Sequence, residues 1–198
     1  MTDDDQSDSD DELSFDGPLR LPPGDRSLAG TMQEGRDLMS AELAGVDMSG
    51  ADLYWATFND AVLEDAIMTG CDLRGAVLNK ANMRGADLRR ANCALDNLGG
   101  STDFIETDLS GADLRDANVG GADFTGARLV GAYLSGANAV SIMADRPTCF
   151  RGADLSDARL TGARFTGAIY DDRTVFPRGF KPEKAGMVFH SGRRKPRR

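Results

Sequence analysis

Large apolar residues recur at every fifth position through most of the chain, from Arg36 to Asp172. With the central large residue called i, this position is Leu in 14 of 26 repeats and Phe in 5, and position i−2 is Ala in 19. A period of five fits neither a helix nor a long strand. It predicts short extended sides joined by corners, with i and i−2 pointing inward and the other side chains outward. Position i+2 is Gly in 14 repeats, as a corner with left-handed backbone requires.

Two interruptions break this pattern. One extra residue after Leu98 moves the i positions to 104–139, and the irregular stretch 140–149 adds one more before the repeat resumes at Phe150. We therefore predict irregular corners near residues 99–103 and 140–149, each adding a single residue. This interpretation leaves no room for a projecting loop.

Tandem A(D/N)LXX blocks over about two-thirds of the chain resemble the pentapeptide repeat proteins. The resemblance implies an all-β fold, a right-handed quadrilateral β-helix with four repeats per coil, and a bacterial source. Coils of 20 residues then predict one column of inward residues on each side. One predicted column holds Leu38, Phe58, Leu78, Leu98, Val119, Ala139 and Leu160, and another holds Leu53, Leu73, Cys93, Leu114, Leu134 and Leu155.

The chain divides into five predicted segments. They are a disordered acidic arm (1–12), an N-terminal cap (13–35), the repeat β-helix (36–172), a C-terminal cap segment (173–190) and a basic tail (191–198). The stretch after Tyr170 resembles the ending of many bacterial pentapeptide repeat proteins. We expect Val175, Phe176 and Phe180 to cover the last coil, since a stack of repeats needs closed ends; the alternative is an unfolded tail.

The formal charge of −9 is unevenly distributed. Residues 1–35 carry −8, residues 36–170 carry −7 and residues 171–198 carry +6. An acidic total disfavours general or specific nucleic-acid binding by the rod, whereas the basic tail is suited to weak contact with an acidic partner. No apolar run is long enough to cross a membrane. The start of the chain lacks a secretory signal and the three cysteines make no disulfide framework, so we expect a cytoplasmic protein.

Catalytic signatures are missing from the sequence. It contains no phosphate-binding glycine loop, no nucleophile elbow and no two-histidine metal spacing. The single histidine, His190, lies beside the basic tail, and Cys71 and Cys93 occupy inward positions typical of core residues. We predict a protein that is not an enzyme and takes no cofactor or metal.

Outward carboxylates form the first candidate surface. The 20-residue register places Asp52, Asp72, Asp113 and Asp154 on one side. Two interpretations stay open: each aspartate hydrogen-bonds its own turn, or the acidic rod imitates duplex DNA. Some members of the family bind bacterial type II topoisomerases in the second way, although basic residues interrupt the acidic positions here.

Tyr54 and Trp55 form the second candidate surface, because both lie at outward positions. The same register places Arg74 and Arg115 beside Tyr54, close enough for cation–π contact. Exposed aromatic residues beside arginine are enriched in binding hot spots. The alternative is that the N-terminal segment folds over Trp55 and buries it.

The sequence thus predicts a non-enzymatic scaffold that binds an unidentified protein, with no role at a membrane. The alternative function is a DNA-mimicking modulator of a bacterial type II topoisomerase such as gyrase. The oligomeric state stays open, and a dimer is compatible with the sequence. The candidate contact residues are Asp52, Tyr54, Trp55, Asp72, Asp113 and Asp154.

Overall fold

The computed structural model describes residues 27–191, which form a continuous parallel coil with four sides. Outward i−1 positions pair with those one coil away, as Asp52 pairs with Asp72 and Asp72 with Asn92. Most sides pair through a single bridged residue, but two strands are two residues long: β1 (Ile169–Tyr170) and β2 (Val188–Phe189). They run parallel, with Ile169 opposite Val188. No helix in the described part of the chain is long and apolar enough to span a membrane.

Each side and corner follows from the five-residue pattern. On a side, the N–H of Leu53 donates to the carbonyl of Asp72 in the next coil at 2.8 Å, and the N–H of Asp72 donates back to Ala51 at 3.1 Å. At the corner, the N–H of Ala56 donates to the Leu53 carbonyl at 3.0 Å. The second corner residue takes left-handed backbone, with φ of 67° at Gly70, which explains why glycine dominates position i+2.

The core is a stack of i and i−2 side chains, as the pattern predicts. Phe104, Phe124 and Phe150 lie above one another, with ring centroids 4.9 and 5.1 Å apart and planes within 4° of parallel. This spacing is close to the roughly 4.8 Å between neighbouring strands, so each ring packs on the next coil's ring. Van der Waals contact between successive coils therefore continues through the middle of the rod.

The predicted register across the two interruptions is wrong. Val77 pairs with Asp103, and Asp123 pairs with Cys149, so each interrupted coil contains six residues more than a regular one. The extra residues form two loops, named here loop 1 (residues 94–101) and loop 2 (residues 140–147). Leu98 is not an inward residue, because its side chain is 84% exposed in loop 1.

The columns change accordingly. Leu78 is followed by Phe104 instead of Leu98, and Cys93 is followed by Val119 instead of Leu114. The predicted columns are therefore displaced by one side between loop 1 and loop 2 and by two sides after loop 2, where Leu155 follows Leu129 instead of Leu134. The side beginning with Leu53 now reads Leu53, Leu73, Cys93, Val119, Ala139 and Phe165.

The coil begins earlier than predicted, and its C-terminal cover differs from the prediction only at Val175. Ser27 already pairs with Asp47, so residues 27–35 belong to the first coil instead of a separate cap. At the other end, Phe176 and Phe180 pack against Tyr170 and Phe165, whereas Val175 points outward and pairs with Asp154. The acidic arm, the rest of the N-terminal cap (13–26) and residues 192–198 of the basic tail lie outside the described residues.

Candidate functional site

The two loops leave the rod at the same corner. Loop 1 follows Cys93 and loop 2 follows Ala139, which lie in one column with Val119 between them. The corner Gly120–Gly121 of the intervening coil is held between the loops. A Cβ atom on Gly120 would lie 2.4 Å from the Val140 carbonyl oxygen, so only glycine fits this close approach.

A buried threonine determines where each loop rejoins the coil. Thr102 and Thr148 replace alanine at i−2, directly after loop 1 and loop 2. The Thr102 hydroxyl donates to the Leu73 carbonyl at 2.7 Å, and the Thr148 hydroxyl lies 2.8 Å from the Ala139 carbonyl oxygen. Threonine at i−2 is not by itself a sequence signal of an insertion, because the buried Thr107 makes the same kind of bond, to the Leu78 carbonyl at 2.6 Å, in a regular repeat.

Asp96 fastens loop 1 to the aromatic pair. Its carboxylate is 2% exposed, and one oxygen accepts from the Tyr54 hydroxyl at 2.8 Å and from the Trp55 indole N–H at 3.1 Å. The other oxygen accepts from the N–H groups of Leu98 and Gly100 at 2.8 and 2.6 Å. Burial by itself raises the pKa of Asp96, but the four donors outweigh it and hold this pKa below its ordinary value.

Trp55 lies against loop 1, which neither sequence alternative anticipated. Cβ atoms placed on Gly75 and Gly100 would come within 3.0 and 2.7 Å of the indole, so the ring packs closely on both glycines. The ring remains 46% exposed on its outer face. The predicted contact of Arg74 with Tyr54 is present at 5.5 Å. Arg115 belongs to another side and is bound to Asp113.

The four candidate aspartates do not form one column. Asp52 and Asp72 share a side, Asp113 aligns with Asp87 on a second side, and Asp154 lies on a third. Beyond Asp72 the first column becomes neutral and then basic: Asn92, Asn118, Asn138 and Arg164. The prediction that these four aspartates lie on one side is therefore wrong.

Most i−1 aspartates bind their own turn, as the first interpretation held. Asp47 accepts from the N–H of Ser49 at 2.9 Å, and Asp52 accepts from the N–H of Tyr54 at 3.1 Å. Three aspartates also hold the arginine two residues later, an arrangement named here the aspartate–arginine clip. The clips are Asp72 with Arg74, Asp87 with Arg89, and Asp113 with Arg115. Much of the carboxylate charge is thus neutralised locally.

Loop 2 contacts loop 1 directly. The Arg146 guanidinium donates to the Gly99 carbonyl at 2.6 Å, so the two loops form one surface. This surface, together with Tyr54 and Trp55, is named here the loop corner. Leu98 and Ile142 expose 84% and 72% of their surface there.

The described residues contain no group of three or more His, Cys, Asp and Glu side chains placed to hold a metal ion. The three cysteines are free and buried, including Cys149 beside loop 2. Burial raises the pKa of the Cys71 thiol to about 12, so this thiol stays protonated and unreactive at neutral pH.

Comparison with known proteins agrees with the corrected loops. The family model for pentapeptide repeats matches residues 56–92, 102–138 and 148–169 in eight copies, and the breaks between these segments coincide with loops 1 and 2. No curated protein matches the chain. Among solved structures, HetL from the cyanobacterium Nostoc sp. strain PCC 7120, a pentapeptide repeat protein involved in the regulation of heterocyst differentiation, is 30% identical. The match covers 78% of each chain, with a TM-score of 0.32.

Two other solved structures are similar at lower identity. QnrB1, a plasmid-mediated fluoroquinolone resistance protein, is 21% identical over 74% of this chain and 83% of its own, with a TM-score of 0.30. A pentapeptide repeat protein from the thylakoid lumen of Arabidopsis thaliana is 20% identical over 86% of this chain and 81% of its own, with a TM-score of 0.26. From its repeats, its four-sided coil, the family model and the 30% identity with HetL, the chain belongs to the pentapeptide repeat family and folds as a right-handed quadrilateral β-helix.

Proposed function

We propose that this protein is a non-enzymatic scaffold that binds a partner protein through the loop corner. The observation that carries the proposal is the exposure of Leu98 and Ile142 on two insertions that share one corner, beside the half-exposed Trp55 of a regular repeat. Within residues 27–170, the two insertions are the only departures from the regular corners, and they present Leu98 and Ile142 as large exposed apolar side chains. Loops held by a rigid scaffold commonly carry binding residues.

The loop corner is held in place before any partner arrives. Asp96 ties loop 1 to Tyr54 and Trp55, and Arg146 ties loop 2 to loop 1. Binding through such a surface loses little conformational entropy, which favours affinity. We also propose a bacterial cytoplasmic location, a proposal supported by the three free cysteines and by the resemblance of the repeats.

The test is affinity capture with a variant of the loop corner. Leu98→Ser combined with Ile142→Ser removes both apolar anchors, and we expect the variant to lose a partner that the unaltered chain retains, with an unchanged melting curve. Ile67→Ser is the matched control, because Ile67 is an exposed isoleucine on a regular side away from the loops. Equal capture by the double variant and the unaltered chain would contradict the proposal.

A second candidate function is a DNA-mimicking modulator of a bacterial type II topoisomerase. The favouring observation is that residues 27–72 contain nine acidic side chains and one basic side chain. Mimicry of DNA is confined to this part, because the clips neutralise later aspartates and the first column becomes basic at Arg164. The test is gyrase supercoiling with purified protein at low and high salt. Salt-sensitive inhibition or protection supports this candidate, and the absence of any effect excludes it.

A further inference from the structure

We propose that a groove between Tyr54 and loop 1 binds a basic segment of a partner protein, with an arginine or lysine side chain against Asp52 and Leu98. This inference names the partner class for the loop corner and rests on the proposed function. The groove has a volume of about 370 Å³ and is open to solvent. Its lining residues are Asp52, Tyr54, Asp72, Arg74, Asp96, Asn97 and Leu98.

Asp52 is an i−1 aspartate that forms no aspartate–arginine clip. In the three aspartate–arginine clips, the residue two places after the aspartate supplies the guanidinium. After Asp52 that residue is Tyr54, which donates only its backbone N–H. Within residues 27–191, no side chain donates a hydrogen bond to Asp52 or forms an ion pair with it. Arg74 acts on Asp52 through its charge but makes its ion pair with Asp72, so an incoming guanidinium or ammonium group would form the ion pair that Asp52 does not have.

The walls of the groove suit a long basic side chain. Leu98 of loop 1 is the most exposed large apolar residue of the described chain, and it lines the groove together with Tyr54. Arginine and lysine carry an aliphatic stem that packs on such surfaces while the charged end stays at a carboxylate. Arg74 already lies over the Tyr54 ring at 5.5 Å while bound to Asp72, one coil away, so the same geometry accepts a guanidinium.

The charge of the surrounding coils favours the same partner. Residues 27–72 contain nine acidic side chains and one basic one, whereas residues 124–191 contain six acidic and nine basic ones. Because successive coils stack in chain order, this gradient runs along the rod, and Asp52 lies in its acidic part. Such a field attracts a basic segment and repels an anionic one, including nucleic acid.

The experiment titrates the full chain with a labelled peptide of alternating arginine and leucine. Peptides with glutamate for arginine, or serine for leucine, are the comparison probes. We expect the Arg–Leu peptide alone to bind well, and Asp52→Asn to weaken it about tenfold, the loss of one charged contact. Asp37→Asn is the matched control, since Asp37 is also an i−1 aspartate without a clip in the acidic coils and has no loop beside it.

Three outcomes would overturn the inference. Equal weakening by Asp37→Asn and Asp52→Asn would mean that binding depends on overall charge alone, and equal binding of the glutamate peptide would exclude a basic partner. A dimer in sedimentation that is lost with Asp52→Asn, and that a peptide of residues 192–198 disrupts, would make a second copy the occupant. The capture experiment with Leu98→Ser and Ile142→Ser decides the scaffold proposal separately, because a partner without a basic segment would still be lost there.

Discussion

At the residue scale, aspartate plays two roles that its position separates. Inside the repeat, an i−1 aspartate accepts the N–H two residues later, as Asp47 does from Ser49, and so completes its own turn. Outside the repeat, Asp96 gathers four donors from loop 1 and from the Tyr54–Trp55 corner. The same carboxylate chemistry therefore stabilises a corner in one place and attaches an insertion in the other.

Replacing Asp96 tests this attachment. Asp96→Asn puts an amide donor among four donors, and we expect the free energy of unfolding to fall by about 1–3 kcal/mol. Trp55 is the only tryptophan of the chain, so its fluorescence reports the change directly; emission should shift to the red while the far-ultraviolet spectrum stays the same. Asp145→Asn, at an exposed position of loop 2, should leave both unchanged. Unaltered Trp55 emission in Asp96→Asn would show that the carboxylate does not hold the ring.

The pKa of Asp96 predicts a pH dependence with a definite sign. Because this pKa is lowered in the folded protein, the contribution of the carboxylate is complete above the ordinary value of about 3.9 and is lost as the pH falls through the folded value. Trp55 emission should therefore be constant from about pH 8 to 5 and change only below about pH 4. The Asp96→Asn variant should lack this transition, and a transition near neutral pH would contradict the assignment.

At the element scale, the insertions decide which repeats stack. Six extra residues in each interrupted coil leave the inward sequence of the regular coils intact, because Thr102 and Thr148 restart the i−2 position after each loop. The loops then contact each other across the Gly120–Gly121 corner. A surface that no regular coil possesses is thereby assembled from two segments about forty residues apart.

Two leucine substitutions distinguish the observed register from the one the repeat alone predicts. Leu88 is fully buried and Leu98 is exposed, although both occupy predicted inward positions. We expect Leu88→Asp to abolish cooperative unfolding, since it buries an unpaired carboxylate, and Leu98→Asp to change stability by less than about 0.5 kcal/mol. Thermal melting followed by far-ultraviolet circular dichroism makes the comparison. Unfolding by both substitutions would restore the single-residue corners.

At the scale of the whole molecule, the rod is a stack in which each coil contacts only its neighbours. The last coil is closed by Phe176 and Phe180, which extend the aromatic contacts of the core through Tyr170 and Phe165. Its stability therefore depends on these side chains at the end as well as on the buried column. The charge gradient also belongs to the whole molecule. It arises because successive coils stack in the order in which they occur in the sequence.

Truncating a side chain at the end tests this closure. Phe180→Ala removes a partly buried ring that packs on Phe165, and we expect a loss of about 1–3 kcal/mol, less than for a fully buried phenylalanine. Val188→Ala is the control, because Val188 lies outward and is exposed on the neighbouring strand β2. Urea unfolding of the two variants gives the comparison. Equal losses would mean that Phe180 does not close the coil.

The amino-acid pattern alone predicts the repeat, the inward and outward positions and the outward placement of Tyr54 and Trp55, whereas the four sides are implied by the resemblance to the pentapeptide repeat proteins. Each of these positions depends on the spacing within one five-residue repeat, and this repeat recurs many times along the chain. The register beyond Cys93, the exposure of Leu98 and the separation of Asp113 and Asp154 from Asp52 follow from contacts between coils, which the repeat pattern does not specify. An insertion of one residue and an insertion of six residues would both leave the five-residue pattern regular before and after the interruption. The hydrogen bond from the Leu78 N–H to the Asp103 carbonyl of the next coil and the exposure of Leu98 select the second, and with it the loop corner.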